Sequence, residues 1–280
     1  MKTFHTVNDL REWRDCCDSV AFVPTMGNLH EGHLKLVSLA RQQANHVVVS
    51  IFVNPLQFGP GEDFLRYPRT LEQDAARLRE HGVDLLFAPD TSELYPQPQR
   101  CHIELPDIAS ELCGASRPGH FRGVATVVMK LLNLVRPQVA CFGKKDYQQL
   151  AIIRMMVEDF AMPVRIVAGE TVRAPDGLAL SSRNQYLTES QRSQAPALFG
   201  ELQRIAAEAH ADADLTVLEQ RAMQTLDSQG WQTDYISIRN RQLGTPASQD
   251  TSLVVLGAAR LGNTRLIDNL EFVRPRPSQA

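Results

Sequence analysis

The sequence predicts an α/β protein: a Rossmann-like doubly wound parallel sheet followed by a smaller α+β carboxy-terminal domain. Two patterns carry that expectation. Over the first two thirds of the chain, short apolar runs alternate with segments whose apolar residues recur every three or four positions, as buried parallel strands with covering helices do. From about Leu187 onward come polar amphipathic helices and then strand-like runs without crossover helices, which suits an antiparallel sheet. The expected division is residues 1–186 and 187–280.

Taken in order, Ala21-Phe22-Val23-Pro24 reads as the first strand. After the loop Thr25-Met26-Gly27-Asn28-Leu29, the spacing of Leu36, Leu39, Ala40 and Ala44 predicts a helix beginning near His30 or His33. A second buried strand runs from His46 to Val53. Leu71, Ala75 and Leu78 share one face of the next helix, which Gly82 ends before the strand Val83–Phe87. Between Pro89 and Gly123 the prolines at 96, 98, 106 and 118 predict a long loop with one short helix at Ile108–Leu112. Val124, Val127, Val128 and Leu131 mark a helix, Val139–Phe142 a strand, and Leu150, Ile153, Val157 and Phe160 a further helix. Val164–Val167 closes the parallel series. Tyr235–Ile238, Ser252–Leu256 and Arg265–Asp268 are the carboxy-terminal strands, and the tail Pro275–Ala280 is expected to be loose.

Composition narrows the class of function. The 29 basic residues nearly balance 32 acidic ones, so there is no broad positive field for a nucleic acid or an anionic membrane. Neither is expected as a partner. No window approaches the roughly 18 apolar residues of a membrane span, and the opening Met1–Thr6 has no apolar core of a signal peptide, so the expected location is cytoplasmic. Cys16, Cys17, Cys101, Cys113 and Cys141 are odd in number and lack Cys-x-x-Cys spacing, which argues against a disulfide framework or a structural zinc site.

The first strand leads into Pro24-Thr25-Met26-Gly27-Asn28-Leu29-His30-Glu31-Gly32-His33 and then a helix. Backbone N–H groups and the positive helix end favour a phosphate there. Two histidines three apart share a helical face, so both rings can meet the same phosphoryl oxygens as donors. Gly27-x4-Gly32 has P-loop spacing, but His33-Leu34 replaces the Lys-Ser/Thr that a P-loop needs. No strand end carries Gly-x-Gly-x-x-Gly, which removes the main support for a nicotinamide enzyme. Zinc helices space their histidines four apart, so a metal reading suits this pair less well.

Further segments make the pattern specific. Ser50-Ile51-Phe52-Val53-Asn54-Pro55-Leu56-Gln57-Phe58, Phe142-Gly143-Lys144-Lys145-Asp146-Tyr147-Gln148-Gln149 and Leu180-Ser181-Ser182-Arg183-Asn184 resemble, together with the His-x-Gly-His turn, the pantothenate synthetase (pantoate-β-alanine ligase) family. The turn itself is the signature of a wider superfamily of nucleotidylyltransferases and class I aminoacyl-tRNA synthetases. Tyr67-Pro68-Arg69-Thr70 and Arg117-Pro118-Gly119-His120-Phe121 add to the resemblance, which covers the chain to about residue 190 and is weaker beyond. One departure is Asn28, where the family usually has alanine.

The resemblance implies that ATP, as co-substrate, activates the carboxylate of pantoate by adenylation and that the amine of β-alanine then displaces AMP. It implies His30, His33, Lys145 and Arg183 as the catalytic groups, with His33 a candidate proton donor. It places ATP on Met26, Gly27, Asn28, Leu29, His30, Glu31, Gly32, His33, Gly143, Lys144, Lys145, Asp146, Val172, Leu180, Ser181, Ser182 and Arg183. Pantoate would meet Gln57, Gln149 and Asn54, and Mg2+ would accompany the nucleotide with Asp74 as its candidate ligand. The first domain then binds nucleotide and pantoate, the second acts as a lid, and the assembly is a homodimer.

The residues support several of these roles on their own chemistry. Gln57 and Gln149 each offer a neutral donor and acceptor, suited to a substrate with hydroxyls and a carboxylate, although exposed glutamines are ordinarily surface residues. Lys145 at a helix start opposes the macrodipole unless a phosphate neutralises it. Asp146 is equally readable as a helix cap or a ribose ligand. Gly177 would let the loop carrying Ser181, Ser182 and Arg183 close over phosphates. Two other readings remain at this point: a nucleotidylyltransferase acting on a phosphorylated substrate, and a non-catalytic ATP-sensing module.

Overall fold

The computed structural model describes residues 1–275, so residues 276–280 of the expected loose tail lie outside the described residues. The chain separates into two compact units, Met1–Lys144 with Gln149–Thr171, and Lys145–Gln148 with Val172–Ala280. The division falls at Thr171/Val172, ahead of the expected 186/187. Val172–Leu180 folds back on itself, with Leu180 N–H donating to Val172 O at 2.9 Å, and Arg173 forms a two-pronged ion pair with Asp268 of the carboxy-terminal sheet.

The first unit contains β1 (Lys2–Phe4), α1 (Val7–Asp15), β2 (Val20–Thr25), α2 (Glu31–Arg41), β3 (His46–Ile51), α3 (Leu71–Glu80), β4 (Leu85–Phe87), α4 (Thr91–Leu94), α5 (Cys113–Ser116), α6 (His120–Val135), β5 (Val139–Gly143), most of α7 (Tyr147–Asp159) and β6 (Arg165–Gly169). The six strands are all parallel, in the order β1-β4-β3-β2-β5-β6. Alternate residues of each strand enter different cores. Val20 and Phe22 of β2 join Val48, Leu85 and Phe87 under α6 and α7, through Val124, Val128, Leu150 and Ile153. Ala21 and Val23 join Val47, Val49 and Leu86 under α2 and α3, through Val37, Ala40 and Leu78. This two-sided burial is why the strands read as continuous apolar runs. Chain order reverses between β2 and β5, so the loops leaving their carboxyl ends flank the switch point where such sheets bind ligands.

Two elements were not expected, β1 and α1. β1 has three residues and no buried pattern, yet it pairs with β4 in parallel. Helix α1 is capped by Thr6, which accepts the N–H of Asp9 at 3.2 Å, and buries Leu10 and Arg14. The expected loop 89–123 holds α4, α5, a 3-10 turn at Asp107–Ser110 and the start of α6, in place of one helix at 108–112.

The second unit adds α8 (Glu189–Gln194), α9 (Ala197–Glu208), α10 (Leu215–Ser228), β7 (Trp231–Asn240), β8 (Ser252–Leu261) and β9 (Thr264–Val273). The strands form an antiparallel sheet in the order β7-β8-β9, longer than the runs legible in sequence. Leu198, Leu202 and Ile205 of α9 and Leu218, Ala222 and Leu226 of α10 bury their apolar stripes against Ile236, Ile238, Leu253 and Val255.

Candidate active site

The turn between β2 and α2 holds itself together. Gly27 and Asn28 are left-handed, at φ +82° and +50°. Asparagine tolerates that region better than most residues do. The N–H groups of Asn28 and Leu29 both donate to Asp74, each at 2.8 Å, and Thr70 Oγ1 donates to the same carboxylate at 3.0 Å. Gly27 N–H goes to Thr25 Oγ1 at 3.2 Å, and Arg77 donates to Leu29 O and pairs with Glu31. The turn therefore does not offer the row of backbone donors expected from its position: those of Gly27, Asn28, Leu29, His30, Gly32 and His33 are all engaged within the protein.

The two histidines also close on the turn. His30 is the N-cap of α2, its Nδ1 accepting Gly32 N–H at 3.1 Å, and His33 Nδ1 accepts His30 N–H at 3.3 Å. A nitrogen that accepts a backbone N–H carries no proton, so each neutral ring holds its hydrogen on Nε2. The ring centroids lie 4.1 Å apart. A Cβ on residue 32 would sit 2.8 Å from His30 Cε1, so Gly32 is what lets that ring fold back over the helix start.

Asp74 is buried, at 2% exposure, and both its oxygens are engaged. That environment fits a clamp on the turn and does not fit the magnesium ligand expected of it. Among the described residues there is no group of three or more His, Cys, Asp or Glu able to hold a metal.

The second patch in this unit is the loop after β3. Asn54 is 1% exposed and fully bonded: Nδ2 donates to Gln57 Oε1 and Gly123 O, each at 3.2 Å, while Oδ1 accepts from Leu56 N–H at 3.3 Å and Tyr95 Oη at 2.9 Å. With no donor or acceptor left over, Asn54 is a support, in place of the substrate contact expected. Gln57 donates from Nε2 to Met26 Sδ at 2.9 Å, bringing this loop against the histidine turn. Arg117 grips Glu62 with two bonds of 2.6 and 2.7 Å, and His120 Nδ1 lies 2.8 Å from Gln57 O. Burial pushes the Glu62 carboxyl up, but the Arg117 bonds and charge, with Gly59 N–H, bring it below the ordinary carboxylate value. The loop rests directly on α6: a Cβ on Gly123 would fall 2.0 Å from Leu56 O. Gln149, also in this unit, is partly exposed in the first turn of α7.

The remaining expected residues divide between the units. Gly143 ends β5, and Lys144 pairs with Glu170 at 2.5 Å in the first unit. Lys145 and Asp146 belong to the second unit, with Lys145 O held by Asn269 Nδ2 at 2.9 Å. Among the described residues the Lys145 ammonium has no ion pair, and Asp146 is exposed. Ser181 caps the 3-10 turn Ser182–Tyr186 by accepting Arg183 N–H at 3.3 Å, directly after the Val172–Leu180 turn. None of the five cysteines is in a disulfide, and Cys113 and Cys141 are buried.

Sequence reasoning did not single out Tyr95 or Glu62, and it named Thr70 only within the segment Tyr67-Pro68-Arg69-Thr70, with no role. Tyr95 lies 41 residues from Asn54 in sequence, so only the fold joins them.

A profile of the family described as pantoate-beta-alanine ligase matches residues 2–271. The chain belongs to that family. It is 58% identical over 278 residues to the pantothenate synthetase of Neisseria meningitidis serogroup A, covering 98% of this chain and 100% of the relative. It resembles the crystal structure of pantothenate synthetase from Thermus thermophilus, with a TM-score of 0.91, 46% identity, and coverage of 98% and 100% of the two chains. The crystal structure of pantoate-beta-alanine ligase from Francisella tularensis, complexed with beta-gamma ATP and beta-alanine, gives 0.82 at 35% identity, covering 96% and 97%. The fold of this ligase is that of its family, and the family assignment sets aside the nucleotide-sensing module and the separate nucleotidylyltransferase.

Proposed function

We propose that this ligase condenses pantoate with β-alanine to give pantothenate in two steps, through a pantoyl adenylate. A carboxylate is a poor electrophile until its oxygen becomes a leaving group. In the first step a pantoate oxygen attacks the α-phosphorus of ATP and pyrophosphate leaves. In the second the amine of β-alanine attacks the acyl carbon, AMP departs and the amide forms. One observation supports this reading, the Gln57–Met26 contact, which brings the loop here assigned to pantoate against the histidine turn.

Charge gathers on the phosphoryl oxygens as pantoate arrives. The Nε2–H groups of His30 and His33 are assigned to those oxygens, as fixed donors that need no reorganisation. Lys145, Ser181, Ser182 and Arg183 are assigned to the triphosphate. Gln57 and Gln149 are assigned to pantoate. Magnesium would enter on the phosphates with water as its other ligands, a mode usual for this ion. A cytoplasmic homodimer is the working assembly.

An assay of AMP release tests the reading. AMP should require ATP, pantoate and β-alanine together, whereas pyrophosphate should appear with ATP and pantoate alone. AMP formed in the absence of either co-substrate would contradict the scheme.

A further inference from the structure

The amide of Asn54 has its polarity dictated by backbone groups. Oδ1 accepts the N–H of Leu56 and Nδ2 donates to the carbonyl of Gly123, and these roles cannot be exchanged, because one backbone group only donates and the other only accepts. The second hydrogen of Nδ2 goes to Gln57 Oε1, and the second lone pair of Oδ1 takes the phenolic hydrogen of Tyr95. Gln57 is thereby turned with its oxygen inward and its NH2 group toward Met26. A thioether is a weak acceptor. A substrate oxygen that replaced it would gain a stronger hydrogen bond than the one it broke.

We infer that Tyr95 is a positioning residue for the acid substrate: the backbone sets which way the Asn54 amide faces, the Tyr95 hydroxyl adds the bond that holds that amide in place against Gln57, and Gln57 so held meets pantoate as a donor to an accepting oxygen. The inference rests on the reading of Gln57 as a pantoate contact. It narrows that reading, since a glutamine free to rotate could equally accept from a pantoate hydroxyl. The Tyr95 ring is held independently of its hydroxyl, 5.9 Å from Phe52 between centroids and 4.3 Å from the Lys130 ammonium. Tyr95→Phe therefore removes the hydrogen bond and keeps the packing.

Steady-state kinetics on the full-length enzyme, with pantoate varied at saturating ATP and β-alanine, provide the test. Tyr95→Phe should raise the pantoate KM about three- to tenfold, the worth of one neutral hydrogen bond. Its kcat, ATP KM and melting temperature should stay near those of the parent. Gln57→Ala should cost more, and the double variant should match Gln57→Ala alone, because a positioning group has nothing left to position. Gln57→Glu should be worse than Gln57→Ala, since an acceptor would then face an acceptor. If Gln57→Ala is costly but Tyr95→Phe is silent, or the two add, the relay is wrong and the contact stands. If Gln57→Ala leaves pantoate kinetics unchanged, both the contact and the relay fail.

Discussion

His33 Nδ1 accepts the backbone N–H of His30 at 3.3 Å, so the second histidine of the turn fixes the backbone of the first. The bond leaves the proton of a neutral His33 ring on Nε2. Replacing His33 by alanine should slow adenylate formation about a hundredfold or more, the usual cost of one preorganised donor. It should also lower stability by about 1 kcal/mol, the value of a lost cap. Single-turnover pyrophosphate release and urea unfolding read the two effects separately. An unchanged rate of pyrophosphate release would remove the imidazole from the chemistry.

Asp74 clamps the same turn from the side. Asp74→Asn puts an NH2 group where three donors converge, and we expect about 1–3 kcal/mol of lost stability together with weaker ATP binding. Because the carboxylate is engaged by Asn28, Leu29 and Thr70, the magnesium concentration for half-maximal rate should be unchanged. A large shift in that midpoint would restore the metal role.

Gly123→Ala places a methyl group against Leu56 O, a backbone atom with no flexible end to yield. The variant should lose at least about 1–3 kcal/mol through overpacking, and its pantoate KM should rise as the Gln57 loop moves off α6. Thermal unfolding and pantoate titration would check both. Wild-type behaviour would mean that the loop shifts without consequence for the acid site.

The Glu62–Arg117 pair gives the loop an acid limit. Glu62 has its folded value depressed below the ordinary 4.5, so its contribution to stability is present above 4.5 and is lost as pH falls through the lower folded value. Urea unfolding between about pH 6 and pH 3 should show a steeper acid decline for the parent than for Glu62→Gln. Parallel curves would show that the pair contributes nothing to folding.

Much of this was legible in sequence, for identifiable reasons. Strands buried on both faces, such as His46–Ile51, announce themselves as unbroken apolar runs, and the His-x-Gly-His turn follows such a strand. β1 escaped notice because three partly exposed residues carry no periodicity, and its strand identity comes from pairing with β4. The long 89–123 segment hid short helices behind its prolines. In the site, residue types gave candidates but not how their hydrogen bonds are shared out. Asn54 and Asp74 both looked available for ligands, and both turn out to be occupied by distant parts of the chain, among them Tyr95 and Gly123 for the first and Leu29 for the second. Such partnerships are tertiary facts with no local signal.

Because its own amides are already satisfied within the protein, the histidine turn has internal bonds enough to hold its shape without a nucleotide. A ligand entering it need not carry the negative charge that a cradle of bare amides would demand; two oriented imidazole donors ask only for an oxygen with lone pairs.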